Sequence, residues 1–175
     1  MSEQDGSDNN QEVFALIAAF DDPDLDRRHD AVFALAKRGT GVVTLLIDAL
    51  TRAKDNDHRW YLSVTLAKIR GPAVQPVIEA MRTNSDMDFR KYAAAALGEM
   101  GEDAVNPLID AMASDDKVLR GFLSKALCRI GKPAIEPLTK RLEDPDDIIR
   151  SCAALTLWQM GESGLTPLID RFKTE

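Results

Sequence analysis

Apolar residues along this chain fall on stripes with helical spacing, and the stripes come in pairs that recur. Phe89, Ala93, Ala96, Leu97 and Met100 share one helix face. Gly101 ends that helix, because glycine takes up positive φ without a side-chain clash. A second stripe of Val105, Leu108, Ile109 and Met112 follows at i, i+3, i+4, i+7. Its counterparts are Val43-Leu46-Ile47-Leu50, Val74-Val77-Ile78-Met81, Ile135-Leu138-Thr139-Leu142 and Leu165-Leu168-Ile169-Phe172. The runs are rich in alanine and leucine and lack period-2 alternation, so no strand competes.

Fixed polar residues lock the stripes into one register. Arginine recurs at Arg28, Arg59, Arg90, Arg120 and Arg150, with spacings of 31, 31, 30 and 30. A leucine follows each by seven: Leu35, Leu66, Leu97, Leu127 and Leu157. An aspartate precedes each by four: Asp24, Asp55, Asp86, Asp116 and Asp146. Such a period means stacked, near-identical units. The aspartate is a natural N-cap, its carboxylate accepting from an orphan first-turn amide. The arginine reads as a joint that ties one unit to the next through carboxylates and carbonyls. Gly39, Gly131 and Gly161 share the place of Gly101, and Pro76, Pro107, Pro137 and Pro167 each lie 17 residues after their arginine. Those prolines are expected in the first turn of the second helix, where a missing N–H is harmless.

Some copies depart from the pattern. Arg70 stands at the turn glycine of the second copy, with Gly71 displaced by one. Leu45 replaces the first proline, and Arg38 stands where Ile69, Met100, Ile130 and Met160 are apolar. Leu16–Pro23 matches Leu138–Pro145, which makes about Gln11 to Phe20 a lone second helix capping the N-terminal end. The predicted fold is an all-α, right-handed α-solenoid (superhelix) of about five helix pairs plus this N-terminal capping helix. One repeat domain is expected over 11–175: a half repeat at 11–23, then repeats at about 24–54, 55–85, 86–115, 116–145 and 146–175. Residues 1–10, MSEQDGSDNN, read as a disordered acidic tail.

The pattern Asp-x-x-x-Arg-x-x-Ala-Ala-x-Ala-Leu-Gly-x-Met-Gly, followed by Ala-Val-x-Pro-Leu-Ile-x-Ala-Met, resembles the short HEAT repeat of the phycobilisome (PBS) lyase type. Asp86 to Met112 matches it best, and the resemblance covers nearly all of 11–175. It implies a HEAT-like solenoid that acts as a non-catalytic protein-interaction scaffold or adaptor. The alternative it implies is a bilin lyase-like subunit handling a tetrapyrrole chromophore on a partner protein. In such solenoids the second helices line the concave, partner-binding side. There this chain carries Thr44, Gln75, Asn106, Glu136 and Thr166, and four residues on Asp48, Glu79, Asp110, Lys140 and Asp170, with Arg141 adjoining. Neighbours should stand about 10 Å apart, one helix spacing. A mostly acidic row of this kind suits a protein partner with a basic or polar segment.

Bulk chemistry narrows the field. The 175 residues suit one domain, and 45% hydrophobic residues suffice for a continuous core. A net charge of −7 disfavours phosphate backbones and anionic membrane surfaces. With only 6% aromatic residues, it also argues against HEAT-like DNA glycosylases, which need a basic groove with aromatic side chains. No stretch approaches the roughly 20 apolar residues of a membrane span, and the polar N-terminus is unlike a signal peptide. The expected location is cytoplasmic.

Candidate chemistry is thin. Cys128 and Cys152 sit at different heights on neighbouring helices, about 9 Å apart along the axis and about 10 Å across. That is too far for a disulfide, so both are expected as reduced, packed thiols. His29 and His58 read as solvated surface residues, and neither joins a His-Glu pair of the kind HEAT-like iron hydroxylases use. No catalytic, cofactor-binding or metal-ligating residue is assigned, and no cofactor is expected. Trp158 shares its register with Ala36, Ala67, Gly98 and Cys128. A ring there is expected to fold over the C-terminal end as a cap; the alternative is an apolar patch for self-association.

Overall fold

The structure, a computed structural model, describes residues 2–173, without the side chains of residues 2–9, 171 and 172. Helix α1 (Ser2–Ala18) runs into a 3₁₀ turn at Ala19–Asp21. Five helix pairs follow: α2 (Leu25–Lys37) with α3 (Val43–Arg52), α4 (Asn56–Ile69) with α5 (Gly71–Thr83), α6 (Met87–Glu99) with α7 (Val105–Ala111), α8 (Lys117–Ile130) with α9 (Lys132–Lys140), and α10 (Asp147–Gln159) with α11 (Glu162–Phe172). The fold is an all-α solenoid, with no strand among the described residues. The boundary expected between the polar tail (1–10) and the capping helix falls inside α1.

Each first helix starts on its aspartate. Asp24 accepts from the amide of Asp26 at 2.9 Å, Asp55 from His58 at 2.7 Å, and Asp86 from Phe89 at 2.7 Å. Asp116 accepts from Val118 and Leu119, and Asp146 from Ile148 and Ile149. The extended backbone at each aspartate lets its side chain fold back over the first turn.

The arginines reach backwards. Arg28, Arg90, Arg120 and Arg150 each donate to the carbonyl six residues earlier, on Asp22, Asn84, Ser114 and Asp144. Those carbonyls lie where the chain leaves the preceding second helix or turn, so each guanidinium fastens one unit's exit to the next unit's entrance. Arg90 is 2% exposed and adds a bond to the Met81 carbonyl at 3.0 Å and an ion pair with Asp116 at 2.7 Å. Arg59 forms the corresponding forward pair with Asp88, at 3.2 Å. Below these joints the five register leucines are all fully buried in one core running between the two layers. Each such side chain contributes about 2 kcal/mol of burial.

Two local expectations change. The positive φ of the second turn sits on Arg70 itself, at φ 60 and ψ −133, against φ 75 and ψ −131 at Gly131. The turn geometry belongs to the register position, and Gly71 does not take it over. The prolines also lie deeper than expected. Pro72 and Pro133 occupy the starts of α5 and α9, which places Pro76 and Pro137 inside those helices, and Pro167 is inside α11. The reason is that α5 and α9 begin directly after the turn, whereas α3 and α7 are preceded by 3₁₀ turns at Gly39–Val42 and Gly101–Ala104.

First helices pack along first helices and second along second, so each unit touches chiefly its neighbours. Ser63 Oγ, on α4, donates to the Tyr92 carbonyl of α6 at 2.9 Å. Further along, Ser124 and Thr156 hydroxyls meet at 2.8 Å between α8 and α10.

Candidate functional site

The second layer presents the polar row read from the sequence. Thr44, Asp48, Gln75, Glu79, Asn106, Asp110, Glu136, Lys140, Thr166 and Asp170 are exposed, and Arg141 is half-buried. Much of its charge is engaged internally. Arg141 bridges Asp110 at 2.6 Å and Asp144 at 2.9 Å, and Lys140 pairs with Glu136 at 2.9 Å. The Lys140 ammonium lowers the Glu136 carboxyl from its ordinary range. Lys173 lies 3.7 Å from Asp170. Asn106, Lys140 and Arg141 share a recess of about 470 Å³, while Asp48 and Glu79 lie outside it.

A larger recess, about 1000 Å³, lies on the first layer across α2, α4, α6 and α8. Its floor is made of small residues, Ala36, Ala67, Ala95 and Ala96. Phe33, 59% exposed, and Trp60, 49% exposed, rise beside it with the half-buried Tyr92. Its charged rim comprises Lys37, Lys68, Arg70 and Arg129, with the carboxylate Glu99. Lys68 Nζ stands 4.4 Å from the Phe33 ring centre, a cation–π contact that joins α4 to α2. Trp60 meets Tyr61 edge-on at 4.8 Å, which holds the indole upright at the start of α4.

Gly98 is required by the far wall. A Cβ at that position would lie 2.7 Å from Arg129 Cδ and 2.9 Å from Arg129 Cβ. The Arg129 side chain therefore lies flat across α6, and its Nε donates to Glu99 at 2.6 Å. An adjoining recess of about 490 Å³ shares Ala95 and Arg129 and adds Lys91, Phe122 and Lys125. Together the two recesses form one trough along the first layer.

The repeat pattern does not reveal the trough, because its residues vary from copy to copy. One signal was available: the position nine after each arginine carries Lys37, Lys68 and Arg129 in three of the five copies. Two other expectations are corrected. His58 is not solvated: its Nδ1 is 3.3 Å from Asp21, and its ring packs edge-on against Phe20 at 5.7 Å. The 3₁₀ turn of the capping segment delivers both partners. Trp158 does not fold over the end, and is 63% exposed on α10. Its register position faces the next first helix in the earlier copies, and among the described residues no first helix packs over it on α10.

Cys128 and Cys152 are free and half-buried, and burial pushes both thiols up, away from the reactive thiolate. Among the described residues no group of three or more His, Cys, Asp or Glu is placed to hold a metal. No described helix is long and apolar enough to cross a membrane.

A family model described as HEAT repeats matches residues 13–98, 43–123 and 105–175. The comparison with curated proteins gives no match. Among solved structures, the chain is similar to an engineered protein at 20% identity, covering 91% of this chain and 84% of that one, with a TM-score of 0.37.

Proposed function

The chain belongs to the HEAT-repeat family, and from that premise we propose that it is a non-catalytic scaffold holding a protein partner in the first-layer trough. The carrying observation is the recess of about 1000 Å³ with Phe33 and Trp60 standing half-exposed beside an alanine floor. Monomer surfaces rarely leave large apolar groups grouped around a concavity unless something covers them. Aromatic side chains at the centre of a patch also supply most of the energy of protein recognition. The second-layer row of Asp48, Glu79 and Asp110 offers a second, more polar contact surface for the same partner.

The test is affinity capture from the native host with Trp60→Ala and Phe33→Ser, compared with Glu79→Lys and Asp110→Lys. Loss of captured protein only with the first pair supports the trough. Loss only with the second pair transfers recognition to the second layer, and retention by all four variants overturns the trough as the binding face.

A tetrapyrrole-handling subunit is the second reading. The same recess is large enough for a conjugated chromophore, and its lysines would meet propionate groups. Titration of the purified chain with a free bilin separates the two, since bound pigment shifts its visible absorbance.

A further inference from the structure

The chain as a whole is acidic, at −7, but the trough is not. Its main recess is edged by Lys37, Lys68, Arg70 and Arg129 against the one carboxylate of Glu99. Glu99 is already paired with Arg129 at 2.6 Å, and in the adjoining recess Asp88 is paired with Arg59 at 3.2 Å. The carboxylates of both recesses are thus bound to arginines, while Lys91 and Lys125 extend the positive edge. A local cationic surface on an anionic molecule selects its partner by charge.

Shape narrows the partner further. Three neighbouring helices span about 20 Å from first axis to third, one helix spacing per step. An extended segment of about six residues covers that distance. The alanine floor, with Trp60 and Phe33 beside it, would accept apolar side chains from such a segment at alternate positions. Its other side chains would face the rim.

We propose, resting on the trough as the partner-binding face, that its occupant is an acidic peptide segment of the partner: alternating carboxylates and large apolar side chains, the carboxylates on Lys37, Lys68 and Arg70 and the apolar groups against Trp60 and Phe33. Lys68 is held in place by the Phe33 ring before any partner arrives, so little side-chain freedom is lost on binding. A protein segment fits better than a nucleic-acid strand. An extended peptide brings apolar side chains for the alanine floor together with carboxylates for the rim, whereas a phosphate strand carries a charge on every unit and no aliphatic side chain for that floor.

The probe is a displayed library of random 12-residue peptides, selected on the wild-type chain and counter-selected on Lys68→Glu and Trp60→Ala. Both positions are exposed, and circular dichroism confirms that each variant is folded. The expected outcome is enrichment of peptides rich in Asp and Glu interleaved with Leu, Phe or Trp. Affinity of those peptides should fall at least about tenfold in each variant and also weaken as salt rises. Enrichment of basic or uncharged peptides, or no enrichment, overturns the proposal. So does tighter binding of a 12-nucleotide oligothymidylate that both variants abolish, which would make the trough a nucleic-acid site. If host partners are lost with Trp60→Ala but the segment that contacts the trough is basic, the scaffold role survives and only the partner chemistry fails.

Discussion

Every first helix begins on a capping aspartate, and in four of the five an arginine grips the carbonyl six residues upstream. Of the second helices, α3, α5, α7 and α9 start with no side-chain cap at all. They are placed by their apolar stripes, with Val43, Leu46, Val77, Leu108 and Leu138 buried in the common core. One layer is located by directional polar bonds at its helix starts, the other by burial along its length. The difference teaches where variation is tolerated. Bonds at the first turn fix a helix's position without using its outer face, so the first layer can carry alanines, aromatics and lysines there and still stack.

The largest test of that contrast lies at the centre of the stack. Arg90→Ala should destabilise the protein by about 3 kcal/mol in urea unfolding, because the Met81 and Asn84 carbonyls lose their donor, the partly exposed Asp116 loses its cation, and a buried side chain is removed. Leu108→Ala should cost a similar amount, about 3 kcal/mol, by a purely apolar route. Arg90→Met separates the two mechanisms, since it keeps volume and loses the donors. Wild-type stability in Arg90→Met would erase the distinction between the layers.

A step smaller, Asp116→Ala removes a cap accepting from two amides and the anionic partner of Arg90, and should cost about 1–2 kcal/mol. The pH dependence follows the same groups. The amide of Leu119, and then Arg90, hold the Asp116 carboxyl below the ordinary carboxylate range, and the amide of His58 does the same for Asp55. With folded values depressed, their stabilisation is present above about pH 4 and lost as the pH falls through the folded values. Thermal melts between pH 5 and pH 2 should therefore show a shallower decline in Asp116→Ala than in the wild type.

Arg70→Gly should act in the opposite direction, raising stability by about 1 kcal/mol as a non-glycine residue leaves φ 60. Smallest is Arg141→Ala. The pairs it breaks, one with the exposed Asp110 and one with the largely buried Asp144, should be worth less than about 1 kcal/mol together. A loss above about 1.5 kcal/mol would mean that the second layer too depends on polar joints.

The helix pairs, the caps and the buried leucines were readable in the sequence because they repeat, and repetition puts one physical demand in view five times. Arg70 shows the limit: the demand for positive φ persists at a position where the residue type that signals it is gone. Trp158 misled because its register-mates are small where a neighbouring first helix packs on them, and no described helix covers this position on α10. The trough was harder still. It depends on which side chains from three or four helices converge across the stack, and Phe33, Trp60, Tyr92 and Arg129 come from different register positions. Periodicity locates the scaffold, whereas convergence of unlike residues becomes visible only once the helices are set side by side.

The Arg90 joint has a kinetic consequence. In a stack where units touch chiefly their neighbours, ordering can begin wherever the first interface closes, and it spreads outward from there. The joint from Met81 to Asp116 fastens together the second, third and fourth repeats with separations of only 6 to 26 residues. Loops that short close cheaply at every joint. The Arg90 joint alone among these arginines is fully buried and three-bonded, which predicts that the middle of the chain orders first and its two ends last. Pulsed hydrogen exchange during refolding should protect amides of α6 before those of α2 or α10. Simultaneous protection of all three would place the nucleus elsewhere.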